Sequence, residues 1–160
     1  MNLTWDLDIL YKGYDDPKYS RDLEEATKLI KEINDICDNL EKYTAIEAIE
    51  KELRLEEKFN QVILELYTYS SLRSSTNVND NEALMQMAKL SMMLNETVAP
   101  GVKFQKFLLN VDLDHLSKES ELVKTYLFML KNSKESATHM LSEKEEVLAS
   151  KLSLVASDAW

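Results

Sequence analysis

The 160-residue chain carries 29 acidic against 19 basic residues, a net charge of −10, with 44% hydrophobic and 30% charged residues. That balance is globular rather than disordered. Acidic excess without a Lys/Arg cluster excludes ordinary phosphate-backbone recognition, so no nucleic-acid partner is expected.

Two glycines and two prolines are too few for the many tight turns of an all-β fold, whereas the abundant Leu, Glu, Lys, Met and Ala favour helices. The expected fold is all-α, a bundle of about five or six helices in one domain spanning residues 1–160. Two of the helices are expected to be long and antiparallel, about 30 residues or roughly 45 Å each. Cys37 is the only cysteine, and the chain has neither a signal peptide nor an apolar run of membrane-spanning length. A cytoplasmic setting without a membrane partner follows as the expectation.

Trp5, Leu7, Ile9, Leu10, Tyr11 and Tyr14 crowd the start of the chain, which reads as an apolar lead-in anchored across the domain. Asp16-Pro17 reads as an N-cap followed by proline at the first helical position. The first helix is expected from Pro17 to Lys42, with Leu23, Ala26, Ile30, Ile33, Cys37 and Leu40 spaced 3, 4, 3, 4 and 3 apart. That heptad seam suits antiparallel bundle packing or a coiled coil, and it places Cys37 among buried hydrophobes. Thr44 and Glu47 form a capping box for a second helix running to about Ser74, with Ile46, Ile49, Leu53, Phe59, Val62, Ile63 and Leu66 on its apolar face.

The polar stretch before Asn81 reads as a loop, with Asn79 or Asp80 as the next N-cap. A third helix carries Leu84, Met87, Leu90, Met93, Leu94 and Val98, and with Met85 and Met92 it forms the most pliable surface of the chain. Pro100-Gly101 is expected to kink or briefly break it before Val102, Phe104, Phe107 and Leu108 resume helical spacing. Asp112–Ser117 reads as a turn, Glu119–Lys131 as a short helix and Asn132–Ala137 as a link. Ser142 and Glu145 form a further capping box, followed by Val147, Leu148, Leu152 and Val155 along one side of a helix. Ala159-Trp160 closes without a Gly, Asn or Pro stop signal, which reads as a chain continuing in a longer protein.

Metal chemistry leaves little trace in this sequence. A His-Glu-x-x-His motif needs two histidines four apart, but His115 and His139 are 24 residues apart and neither is followed by Glu. A di-iron bundle needs Glu three places before a histidine, where Asp112 and Ser136 stand instead. No nucleophile elbow or phosphate loop is present. The acidic groups Glu24-Glu25, Glu56-Glu57 and Glu143–Glu146 read as solvated helix faces and first-turn dipole partners. His139 reads as a packing or hydrogen-bonding residue. No catalytic, metal-ligating or cofactor-binding residue is expected within the chain.

Trp5-Asp6-Leu7, Leu10-Tyr11 and Asp16-Pro17 resemble the N-terminal entry of oligoendopeptidase F-like zinc metallopeptidases. His139, Leu141-Ser142, Glu146 and Ala159-Trp160 are similar to a later segment of the same family, and the helical stretch between, with its loop at Asn77–Asn81, has compatible lengths. The likeness departs at Ala156, where relatives often carry Gly. The resemblance implies that residues 1–160 are the non-catalytic N-terminal helical lobe of a larger cytoplasmic peptidase. Its partners would be the catalytic domain, missing from this chain, and short peptide substrates enclosed in a channel. Zinc, held on a downstream His-Glu-x-x-His helix, would supply the attacking water, with a downstream Glu as base. The alternative reading is a self-contained helical interaction module, an adaptor or coiled-coil dimer built on the Leu23–Leu40 seam.

Overall fold

The computed structural model describes residues 6–156, so Trp5 and Ala159-Trp160 lie outside the described residues. Every regular element among them is helical, which gives the expected all-α bundle. In chain order these are α1 (Pro17–Cys37), a 3-10 turn (Leu40–Lys42), α2 (Ala45–Thr76), α3 (Asn81–Asn95), α4 (Val98–Leu108), α5 (Leu113–Glu119), α6 (Glu121–Thr125), α7 (Leu127–Ala137) and α8 (Glu143–Val155).

Helix α1 begins as its sequence dictates: the Lys18 N–H donates to the Asp16 carboxylate at 2.8 Å, and Pro17 occupies the first turn. Its seam residues Ala26, Ile30, Ile33 and Cys37 are buried, with Leu29 beside them. The helix stops at Cys37, short of the expected Lys42. Asp38 and Asn39 are poor helix formers, and the Asn39 side-chain amide donates to the Asp35 carbonyl while the backbone tightens into the 3-10 turn. Leu40 stays buried all the same.

The Thr44–Glu47 capping box then opens α2, whose 32 residues span about 48 Å. α2 runs antiparallel to α1. The Tyr19 ring meets Tyr69 at one end of the pair, Lys18 bonds Glu65 at 2.9 Å, and Cys37 lies beside Glu52 at the other end.

The lead-in is anchored by aromatic packing. Tyr11 is 1% exposed and meets Tyr19 and Tyr69 edge-on at 5.1 and 5.3 Å, while Tyr14 meets the same two rings at 5.0 and 5.3 Å. Ile9 departs from the expected cluster and is 85% exposed.

Asp80 caps α3 by accepting the Ala83 N–H at 3.0 Å, and its carboxylate pairs with Arg73 of α2 at 2.7 Å. The break expected at Pro100-Gly101 comes slightly earlier, at Glu96-Thr97, and its position has a steric reason. The proline ring cannot follow a helical carbonyl four residues back, but within the first turn of a new helix its missing N–H leaves nothing unmade. Pro100 is accordingly the third residue of α4, and Gly101 donates the first backbone bond, to Thr97.

The following segment differs from the sequence reading. Residues 112–117 are mostly helix rather than turn, because Asp112 accepts the His115 N–H at 3.0 Å and caps α5. Ser120 restarts the chain as α6 by accepting the Val123 N–H at 3.2 Å. Residues 132–137 are not a link but the second half of α7, held by the buried pair Leu130 and Ala137 seven residues apart. Helix α8 starts at the Ser142–Glu145 capping box and packs against α4 and α3, with Asn95 bonded to Ser150.

Candidate functional site

Three places in this scaffold hold more than ordinary packing, and the first is the joint between α1 and α2. The α2 positions Ile49, Glu52, Glu56, Phe59, Ile63 and Leu66 are spaced 3, 4, 3, 4 and 3, matching the α1 seam. Two of them are carboxylic acids. Glu52 is 1% exposed, and among the described residues none donates a hydrogen bond to either carboxyl oxygen. Desolvation first, and then the charge of Glu56, pushes its pKa well above the ordinary carboxylate range; Glu56 is half-buried and is pushed up by its own burial. Beside this pair, burial pushes the Cys37 thiol up to about 12, so at neutral pH it is a thiol and a poor nucleophile.

The second place is an apolar groove between α2 and α3, lined by Asn60, Ile63, Leu64, Tyr67 and Leu94. The methionine surface of α3 divides around it: Met93 fills the core, whereas Met85 and Met92 are exposed. The third is the outer face of α8, where Leu148 and Leu152 are exposed, with Leu141 just before the helix. The stripe read from the sequence therefore faces outward over these two residues.

The histidines are not brought into a site. His115 lies on α5 with Nε2 3.3 Å from Glu119, an exposed pair four residues apart on one helix. His139 is exposed in the turn after α7. Among the described residues, no group of three or more His, Cys, Asp and Glu side chains could hold a metal ion.

The acidic groups serve the ends and flanks of helices. Glu25 and Glu32 flank Lys28 on α1, Glu145 closes the Ser142 capping box, and Glu146 accepts the Leu141 N–H at 3.0 Å. Glu57 accepts the Tyr126 hydroxyl. Glu56 is the exception, because it lies half-buried next to Glu52 rather than on a solvated face. Glu52 itself was not anticipated. Its signal was available in the heptad arithmetic of α2, as a gap in the apolar series between Ile49 and Phe59.

The segment that builds α5, α6, α7 and α8 carries a likeness to a known family. Residues 110–160 match the Oligopeptidase F family model, in its N-terminal region. No curated protein and no solved structure gives a significant match. The matched interval is less than half of the chain. It contains the later of the two segments that carried the resemblance, from His139 to Trp160, while the Trp5–Pro17 entry lies outside it.

Proposed function

We propose that this chain is the non-catalytic N-terminal helical lobe of a cytoplasmic oligopeptidase of the oligopeptidase F type, where it helps to enclose short peptides while another region hydrolyses them. The family match over residues 110–160 carries this reading. One feature of the chain supports it: the matched segment presents apolar side chains at the edge of the bundle, Leu141 just before α8 and Leu148 and Leu152 on it. Such a face suits contact with a further part of the same enzyme.

The coiled-coil version of the interaction-module reading loses its basis in the structure. Ala26, Ile30, Ile33, Cys37 and Leu40 are buried against this chain's own helices and are not open to a partner's seam.

The test combines metal analysis with a peptide assay on the purified chain. The expected outcome is substoichiometric zinc after dialysis and no hydrolysis of short peptides. Stoichiometric zinc lost on His115→Ala or His139→Ala, together with peptide cleavage, would overturn the reading. Sequencing beyond the Trp160 codon supplies the second arm: an in-frame His-Glu-x-x-His supports the lobe, and an immediate stop codon opposes it.

A further inference from the structure

The Glu52 carboxyl stands in a position that an ionised group cannot occupy cheaply. It is 1% exposed, and among the described residues no N–H, hydroxyl or cation donates to either oxygen. A carboxylate without a donor in a core is strongly disfavoured against its neutral acid. Glu56, one turn further along the same face, is the ionisable group acting directly on it. A hydrogen bond between two carboxyls exists only while one of them holds a proton. Around the neighbouring Cys37 thiol stand Glu52, Glu56 and Asp38, with Lys103 of α4 as a cation that is bonded to Asp38 at 2.6 Å. On the flanks, Glu50 and Glu57 are engaged by Ser120 and Tyr126 from α6 and its C-terminal end.

We propose that Glu52 and Glu56 form a proton-holding pair that makes the packing of α1 on α2 pH-dependent, with one proton kept on Glu52 while the joint is closed and released when it opens. The sign follows from the two states. In the open joint Glu52 is solvated and titrates near its ordinary value of 4.5, whereas in the closed joint desolvation and the neighbouring Glu56 hold its titration well above that value. Below 4.5 both states hold the proton, and opening is insensitive to pH. Between the two values the closed state holds a proton that the open state lacks, so rising pH favours opening. Above the closed-state value both states are ionised and the effect levels off. This device is independent of the peptidase reading.

Cys37 reports the opening, because it is the only thiol in the chain and lies buried at the same joint. Thiol labelling of the full chain is to be compared with that of Glu52→Gln across this pH window. Taking the ratio of the two rates cancels the ionisation of the exposed thiol. The expected result is a wild-type to variant ratio that climbs by up to about tenfold per pH unit. A ratio independent of pH overturns the proposal. The wild-type protein gives a second reading should the variant fail to fold. A protonated-carboxyl stretch in its infrared spectrum at neutral pH, lost on denaturation in urea, is expected, and its absence overturns the proposal.

Discussion

Tyr11 ties the lead-in to the first two helices with both its ring and its hydroxyl. The ring packs edge-on against Tyr19 and Tyr69, and the hydroxyl donates to Asp22 at 3.0 Å. Edge-to-face pairs contribute about 0.5–1.5 kcal/mol beyond their burial. A hydrogen bond to a charged acceptor contributes about 1.5–3 kcal/mol. Tyr11→Phe keeps the ring and loses the bond, so it is expected to cost about 2 kcal/mol, read as a lower urea midpoint with an unchanged slope.

The same group sets an alkaline limit. Burial pushes the phenols of Tyr11, Tyr14 and Tyr19 above their ordinary value of 10.0, and for Tyr11 the Asp22 carboxylate adds to the effect. Below 10.0 these rings are neutral in both folded and unfolded chains. As pH rises past that value the unfolded chain ionises first, and stability falls. Urea midpoints are expected to drop between about pH 9 and about pH 11, and less steeply in Tyr11→Phe than in the wild type. Equal slopes in the two proteins would show that Tyr11 is not a source of the effect.

The capping boxes show how much of an element can be read locally. Thr44 with Glu47 and Ser142 with Glu145 both close as their spacing dictates, with Glu47 accepting the Thr44 N–H at 3.0 Å and Glu145 accepting the Ser142 N–H at 2.9 Å. These contacts lie within four residues, so the sequence contains them whole. Asp112 and Ser120 are caps of the same kind, yet the helices they open are seven and five residues long. That is too short to display a hydrophobic period, which is why residues 112–117 read as a turn. Glu52 gives no sign of its burial, and Glu56 reads as part of a solvated face, for the opposite reason. Their positions on the seam are plain from spacing, but charged residues are almost never fully buried, and composition outweighed position. Thr44→Ala is expected to cost about 1 kcal/mol in global stability, because α2 is packed along the core. Ser142→Ala removes a comparable contact from α8, which has exposed leucines. Its expected signature is faster amide exchange confined to the first turns of α8. Equal exchange throughout α8 in both proteins would show that the box does not hold this helix.

For the whole molecule, the seam of α1 decides between packing within the chain and packing between copies, because one apolar stripe cannot face both ways. Its heptad spacing was legible, but spacing alone does not say whose helix fills the partner face. The short connection through the 3-10 turn returns α2 along α1, and Lys18–Glu65 and Tyr19–Tyr69 close the far end of the pair. Ile30 and Ile33 are each 3% exposed within this internal interface. Introducing an aspartate at either position buries a carboxylate without a partner, at a cost of several kcal/mol against a total stability of about 5–15 kcal/mol. Ile30→Asp and Ile33→Asp are therefore expected to lose helicity by circular dichroism and to unfold the single chain. Were the seam an interface between copies, the same variants would sediment as folded monomers from a wild-type dimer. Retained helicity with a halved mass would overturn the intramolecular assignment of α1, and with it the single-chain bundle built around that helix pair.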